Sequence, residues 1–243
     1  MYHSFLLIEV GDNPDRERPG RSWLRNIYRV HQRLAMAFPS KARRERDPEF
    51  LQPYDPADFP ETDLRADVHE SRNGDAGFLF RVDHHLDAGV GYRPAILVQS
   101  ARRPDWEYAF QNAGFFLRAC PEVHQTDLHF EVGSRLRFRL CANPTVKREG
   151  KRHALRERAD LHAWLERKAA GGGFGIESWT ETDGGWLSAG KRQKAERIHL
   201  WTVTFEGILR VTDAERFADT LAAGIGPAKA FGCGLLSVAA VRA

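Results

Sequence analysis

The 243-residue chain carries 36 basic and 33 acidic residues, a formal net charge of +3 and a hydrophobic fraction of 42%. This length suits one large domain or two of ordinary size, and the composition is that of a folded protein. No stretch approaches the roughly 20 apolar residues of a membrane span, and the N-terminus lacks the charged leader of a signal peptide, so we expect a cytoplasmic protein with no membrane partner.

The first half of the chain opens with an apolar strand, YHSFLLIEV, followed by a polar turn and by a segment with helical periodicity, WLRNIYRVHQRLAMAF. Five prolines and many charges between 39 and 60 predict a long exposed loop. Two apolar runs, GFLFRVDH and RPAILVQS, flank a glycine-containing segment and predict an antiparallel strand pair. The stretch from Pro104 to Val132 shows no clear pattern.

The second half shows clearer patterns. In GSRLRFRLCANPTV, apolar residues alternate with Arg135, Arg137 and Arg139, which predicts a strand with one apolar face and one face of guanidinium groups. HALRERADLHAWLERKAA predicts a helix that ends at a run of three glycines. Further strands are predicted for FGIESWTE, GWLSAG and ERIHLWTVTFEGILRV. A capped helix is predicted for TDAERFADTLAAG, and a last strand for CGLLSVAAV.

The order β, α, β, β, α, β of the second half is the ferredoxin-like (RRM-like) plan, in which four antiparallel strands carry two helices on one face. The first half shows at least β, α, β, β of the same plan. We therefore predict an α+β fold of two tandem ferredoxin-like units, residues 1–131 and 132–243. The open sheet faces and the cleft between such units are natural places for RNA.

Tyr28 and His31 lie three residues apart in the first predicted helix. At about 100° per residue, an apolar stripe is formed by Ile27, Val30, Leu34, Ala37 and Phe38. Tyr28 and His31 are neighbours at the edge of this stripe, with Arg25 and Arg29 beyond them on the polar side. A phenol beside an imidazole, backed by guanidinium groups, is a candidate proton-transfer pair above a bound anion. The alternative is a half-buried tyrosine and histidine that only line the helix.

The cysteines and histidines do not form a metal-site pattern. Cys120, Cys141 and Cys233 are far apart in the chain and lack a C-x-x-C pair, so we expect neither a disulfide framework nor a zinc site, and interpret them as inert core or strand residues. No pair of histidines has the H-x-x-x-H spacing of a helical metal site. We therefore expect no metal centre.

The segment GIGPAKAFGCGLLSV holds four glycines from Gly224 to Gly234. It fits neither the P-loop nor the G-x-G-x-x-G pattern, so we expect no nucleotide cofactor. We expect a loop leading to Pro227 at the first position of a short helix, whose free N–H groups bind a backbone phosphate together with Gly226 and Lys229. The alternative is tight packing of a helix against the last strand, which glycines permit.

Only seven of the 36 basic residues are lysines. The others are arginines, whose planar guanidinium group binds phosphate through two hydrogen bonds and stacks on bases. A GC-rich genome is an alternative explanation for the high arginine content. Basic clusters flank predicted loops of the second half, with Lys147 and Arg148 at a strand end, Lys151 and Arg152 in the next turn, and Lys191, Arg192, Lys194 and Arg197 before a strand. Such clusters suit an RNA duplex, which is gripped by its phosphates and shape, but they are also typical of solvated faces.

A family resemblance is carried by NIYRVHQRL, LVQSARRPDW, GSRLRFRLCANPTVKREGKRHAL and FGCGLLSV. In this order, over nearly the whole chain, they resemble the CRISPR repeat-cleaving endoribonuclease of the Cascade complex, the Cas6-type (CasE) subunit of subtype I-E. The resemblance implies a tandem ferredoxin-like protein that binds the stem-loop of CRISPR repeat RNA and assembles with other Cascade subunits. It also implies metal-independent cleavage at the 3′ base of the stem, by attack of a ribose 2′-oxygen on the neighbouring phosphate.

The same resemblance implies that Tyr28 and His31 are catalytic. We expect the RNA to be contacted by Arg25 and Arg29, by the basic clusters, and by Gly226 and Lys229 of the Gly224–Gly234 loop. A lysine that assists catalysis in some members corresponds to Met36 here, which leaves Arg25 or Arg29 as its candidate substitute. The alternative function is a non-catalytic RNA-binding subunit of the same fold.

Overall fold

The computed structural model describes residues 1–13, 18–39, 45, 48, 77–87, 92–127, 129–182, 185–190 and 197–241. The chain divides into two compact units, Met1–Phe78 with Val82–Thr126, and Leu79–Arg81 with Asp127–Ala243. The division after Thr126 falls slightly before the position that the sequence pattern indicated. The loop predicted at 39–60 lies outside the described residues apart from positions 39, 45 and 48.

The first unit is built on a four-stranded sheet. Its described elements are β1 (Tyr2–Leu7), α1 (Pro19–Leu24), α2 (Ile27–Ala35), β2 (Phe78–Asp87, of which Leu79–Arg81 group with the second unit), β3 (Tyr92–Ser100), α3 (Trp106–Phe110) and β4 (Glu122–Gln125). The strand order is β2-β3-β1-β4, and β1 is antiparallel to both of its neighbours. A first strand between the third and the fourth is the ferredoxin-like arrangement. The segment without a predicted element contributes α3 and β4.

The helix predicted as one segment is two helices. Pro19 occupies the first turn of α1, where its missing N–H costs nothing. The backbone is extended at Asn26, whose side chain accepts a hydrogen bond from the N–H of Tyr28 at 3.2 Å and thereby caps α2. The apolar side of α2 is buried through Val30 and Leu34, as the periodicity predicted.

The second unit has the complete predicted order. Its described elements are β5 (Arg135–Ala142), β6 (Thr145–Arg148), β7 (Lys151–Ala154), α4 (Arg158–Gly171), β8 (Phe174–Thr182), β9 (Trp186–Gly190), β10 (Arg197–Trp201), β11 (Val203–Val211), α5 (Ala214–Ala223) and β12 (Leu236–Ala240). The main sheet is antiparallel with strand order β12-β5-β11-β8. The ferredoxin-like α+β fold is therefore confirmed, with β5, β8, β11 and β12 as its four strands.

Two short β-ribbons extend the second unit, β6–β7 between β5 and α4 and β9–β10 between β8 and β11. The β6–β7 turn consists of Glu149 and Gly150, with φ values of 50° and 79°, as a tight two-residue hairpin requires. The prediction that Lys151 and Arg152 lie in a turn was wrong, since both lie in β7. Pro144, which has no N–H to donate, follows the end of β5 and separates it from this hairpin.

The core of the second unit lies between the main sheet and its helices. Phe138, Leu140 and Ala142 of β5 are buried, which confirms the apolar face predicted from the alternation. Trp164 of α4 stacks on Phe205 of β11, with ring centroids 6.0 Å apart. Across the described ranges, no helix combines the length and apolar character that a membrane crossing needs.

Candidate functional site

Tyr28 and His31 lie on adjacent turns of α2. Tyr28 is half-buried, whereas His31 is only 6% exposed. The imidazole of His31 stacks on Phe78, with centroids 5.3 Å apart and planes 23° apart, and Phe78 stacks in turn on Phe38 at 5.3 Å. The helical wheel placed His31 at the edge of the apolar stripe, but it is buried because Phe78 covers it. The structure thus holds the ring in one orientation.

Two exposed arginines lie close to this pair in the chain. Arg25, which follows α1, and Arg29, next to Tyr28, are both exposed. Arg29 forms no ion pair with any residue in the described ranges. Met36 is buried in the turn after α2, at 2% exposure, so the position of the family's assisting lysine belongs to the core.

Arg33 fixes α2 against α3 and was missed by the sequence reasoning. Its guanidinium donates a hydrogen bond to the carbonyl of Ala109 at 3.0 Å. Burial lowers the pKa of Arg33 below its ordinary value. Because this bond joins α2 to a helix that no sequence pattern predicted, no local pattern points to it.

The β6–β7 hairpin brings four cations together. Lys147 lies opposite Arg152, and Arg148 lies opposite Lys151. All four are exposed, and none pairs with a carboxylate among the described residues. Like charges directly opposite each other destabilise a strand pair, whereas a polyanion lying against them would be attracted. Lys191, Arg192 and Lys194 fall outside the described residues, and Arg197 is the first residue of β10.

The row of guanidinium groups predicted on β5 is largely neutralised. Arg135 donates to Glu177 at 2.7 Å and Arg139 pairs with Glu206 at 3.0 Å. The hydrogen bond from Arg135 lowers the pKa of Glu177. Arg137 is exposed and has no ion pair within the described part of the chain. Its neighbours in register, Ile208 and Ala239, carry no charge.

Packing accounts for the glycine-rich segment between α5 and β12. Gly224, Gly226 and Gly234 have positive φ values of 74°, 80° and 92°. A Cβ atom at Gly226 would lie 3.1 Å from the indole of Trp164. A Cβ at Gly224 would lie 2.7 Å from Leu79, and in both places the neighbour would have to shift. These observations correspond to the packing alternative of the sequence analysis.

The short helix expected from Pro227 is a single 3-10 turn, Lys229–Phe231. It starts later than predicted because Ala228 has a left-handed backbone, with φ of 65°. The exposed Lys229 donates a hydrogen bond from Nζ to the carbonyl of Ala223 at 2.6 Å. This bond satisfies a terminal carbonyl of α5 and leaves two further N–H donors on the ammonium group.

The cysteines do not all lie where the sequence suggested. Cys120 is exposed and outside any strand, Cys141 lies in β5, and Cys233 is buried, each with a free thiol. A hydrogen bond with Cys141 and burial raise the pKa of the Cys233 thiol well above its ordinary value. Two cysteines that are distant in the chain are therefore neighbours in the fold. No group of three or more histidine, cysteine or acidic side chains within the described ranges is arranged to hold a metal ion.

Ferredoxin-like units that carry an exposed cationic hairpin are typical of nucleic-acid-binding proteins. The chain belongs to the CRISPR associated protein family, whose model matches residues 1–240.

Two relatives and one solved structure make the family assignment more specific. The chain is 38% identical over 158 residues to the CRISPR-associated endoribonuclease Cse3 of Thermus thermophilus, which covers 60% of this chain and 73% of that protein. It is 29% identical over 234 residues to the Cascade subunit CasE of Escherichia coli K12, covering 90% and 94%. Thermus thermophilus Cse3 bound to an RNA representing a pre-cleavage complex matches with a TM-score of 0.68, 29% identity and 98% coverage of both chains. The predicted resemblance to the type I-E Cascade subunit is confirmed.

Proposed function

We propose that this chain is the endoribonuclease that cuts CRISPR repeat RNA at the 3′ base of its stem-loop and so produces mature crRNA for Cascade. The observation that carries the proposal is the Tyr28–His31 pair, next to Arg29, which has no ion pair among the described residues, in a chain that matches RNA-bound Cse3 along 98% of its length. Its partners are the repeat stem-loop and other Cascade subunits, as the names of its relatives suggest. We assign its activity to the cytoplasm, where transcripts are processed.

The reaction needs a proton removed from the attacking ribose 2′-hydroxyl and a proton delivered to the leaving 5′-oxygen. The 2′-oxygen forms a bond to phosphorus as the bond to the 5′-oxygen breaks, which leaves a 2′,3′-cyclic phosphate and a free 5′-hydroxyl. Imidazole is the side chain best suited to exchange these protons near neutral pH, an effect worth typically 10² to 10⁴ in rate. We assign this exchange to His31, with Tyr28 orienting or assisting.

Stabilisation of the phosphorane is assigned to cations. Arg25 and Arg29 are the candidates on the exposed side of Tyr28, because Met36 supplies no charge. Positioned positive charge in a site of restricted water is often worth more than the proton transfer itself. The nucleophile belongs to the RNA, so the proposed route requires no metal ion.

We assign binding of the RNA stem to the second unit. The cations of the β6–β7 hairpin, which no described carboxylate neutralises, are suited to phosphates. Further proposed contacts are Lys191, Arg192, Lys194, Gly226 and Lys229. Lys229 retains N–H donors for a phosphate beyond the one given to Ala223.

The test is cleavage of labelled cognate repeat RNA in EDTA by the His31→Ala variant. We expect cleavage to be abolished and stem-loop affinity to stay within a few fold, because the imidazole acts on protons rather than on binding. His162→Ala, a change at an exposed histidine of α4, is the matched control and should cut normally. Loss of binding equal to the loss of cleavage would make His31 structural.

The burial of His31 favours one competing function, a non-catalytic RNA-binding subunit in which His31 only packs on Phe78. Wild-type protein decides between the two. The proposed enzyme leaves a 2′,3′-cyclic phosphate and a 5′-hydroxyl in EDTA, whereas the binding subunit leaves the RNA intact. Cleavage that stops in EDTA would contradict both.

A further inference from the structure

The β9–β10 ribbon presents an aromatic face that the proposed function does not use. Trp186 lies directly opposite Trp201, with ring centroids 5.7 Å apart and planes at 71°. His199 lies two residues before Trp201, on the same face of the ribbon, and its ring meets Trp186 edge-on at 6.5 Å. Trp186 is 57% exposed, and it is the one exposed tryptophan of the six, all of which the structure describes.

A guanidinium group backs this aromatic face. The Arg156 guanidinium carbon lies 5.1 Å from the ring centroid of Trp186 and 5.2 Å from that of Trp201. Cation–π contacts of this kind hold the rings in place. The amide of Asn143 donates to the carbonyl of Trp201 at 2.6 Å, which ties this ribbon to the chain leading into β6–β7. The exposed Trp186 ring is therefore held by its neighbours rather than free to rotate.

The surroundings of Trp186 are positively charged. Arg156 is exposed, follows β7 closely and pairs with no carboxylate among the described residues. It lies four positions after Arg152 of the cationic hairpin, a reach of at most about 14 Å. An apolar protein partner would gain nothing from these charges, whereas a nucleic acid strand would be attracted by them and could place a base on the open indole face.

Inside an RNA duplex such a ring finds no base to stack on, because both faces of each interior base pair are covered by their stacked neighbours. Unpaired bases have free faces and stack on aromatic side chains. We propose that Trp186, backed by Arg156, is a stacking platform for an unpaired nucleobase of the RNA, in the loop or beside the stem. This inference rests on the proposed function, and the base lies within a few nucleotides of the phosphates that the β6–β7 hairpin holds.

The test uses cognate repeat stems with a 2′-deoxy nucleotide at the cut site, which prevents cleavage. One stem is blunt and closed by a non-nucleotide linker, so it has no unpaired base. The others add the natural loop, a 5′ tail or a 3′ tail. We expect Trp186→Ala to weaken binding of at least one of these RNAs by about 5- to 150-fold, the range found for single base–aromatic stacks. The affinity for the linker-closed stem should stay within twofold.

Two controls separate stacking from a structural role. Trp186→Phe keeps a ring and should retain most of the affinity, and Phe115→Ala removes a comparably exposed aromatic side chain, 58% exposed, from the first unit. A 2-aminopurine placed in the responsive segment should be quenched on binding to wild type and not on binding to Trp186→Ala.

Several results would overturn the inference. Unchanged affinity of Trp186→Ala for all four RNAs would exclude the stacking platform. An equal loss of affinity for the linker-closed stem would show that the ribbon is a duplex contact or a structural element. Loss of assembly with other Cascade subunits at unchanged RNA affinity would identify a protein contact instead. The proposed function fails separately, if wild-type protein neither binds the linker-closed stem nor cuts the natural repeat.

Discussion

His31 is held by its aromatic neighbours as much as by its own helix. Its imidazole packs on Phe78, and Phe78 packs on Phe38, so a stack of three rings determines where the candidate acid–base group points. A catalytic group that is already fixed does not have to reorganise when substrate binds. This pre-organisation increases the reaction rate. Phe78 is accordingly a positioning residue in the proposed reaction.

At this residue scale, we expect Phe78→Ala to lower the rate of repeat cleavage by at least about tenfold, because a misplaced catalytic group costs about that much or more. RNA affinity should change little. Phe78→Tyr, which keeps the ring, should restore most of the rate. Single-turnover kinetics and anisotropy separate the two effects, with circular dichroism to show that each variant is folded. Equal rates for the alanine and tyrosine variants would exclude this role.

The β6–β7 hairpin is an element whose charge opposes its own stability. Two cross-strand pairs, Lys147 with Arg152 and Arg148 with Lys151, place like charges opposite each other. Such pairs are unfavourable by a few tenths of a kcal/mol to about 1 kcal/mol. None of the four forms an ion pair with a carboxylate of the described residues, which is the arrangement expected if they meet a polyanion, as the proposed function requires.

At the element scale, we expect Lys147→Ala combined with Arg152→Ala to weaken stem-loop binding and to lower the salt slope by about one for each lost phosphate contact. The free energy of unfolding should stay the same or rise slightly, because a repulsive pair is removed. Arg167→Ala, which removes an exposed cation from α4, is the control and should leave the slope unchanged. Binding that falls only in parallel with stability would place the hairpin outside the interface.

For the whole molecule, the net charge of +3 understates the cationic surface. The fold pairs Arg135 and Arg139 with glutamates, whereas the hairpin cations form no ion pair within the part of the chain that the structure describes. In the proposed function, attraction to RNA therefore depends on where the charges lie rather than on their sum.

At the molecular scale, we expect the logarithm of the stem-loop binding constant to fall with the logarithm of salt concentration with a slope of about −3 or steeper. Each phosphate contact contributes roughly −0.7 to −0.9, and the hairpin alone presents four cations. A titration of labelled repeat RNA at a series of salt concentrations measures it. A scrambled stem should bind more weakly at each salt. A slope near zero would show that the unpaired cations do not meet phosphate.

The sequence by itself determined the order β, α, β, β, α, β of the second half, and hence the ferredoxin-like plan, because side-chain periodicity is a local property of the chain. The alternation along β5 correctly predicted the burial of Phe138 and Leu140. The motifs were enough to identify the family and to select Tyr28 and His31 as candidates. Their catalytic role stays a prediction.

Only the tertiary structure decided what surrounds these residues. It covers His31 with Phe78, neutralises most of the arginine row of β5 and backs Trp186 with Arg156. It also splits the first predicted helix at Asn26. Most of these contacts join residues that are distant in the chain, and the packing that selects them depends on the shape and charge of both partners, which no local pattern of one segment contains.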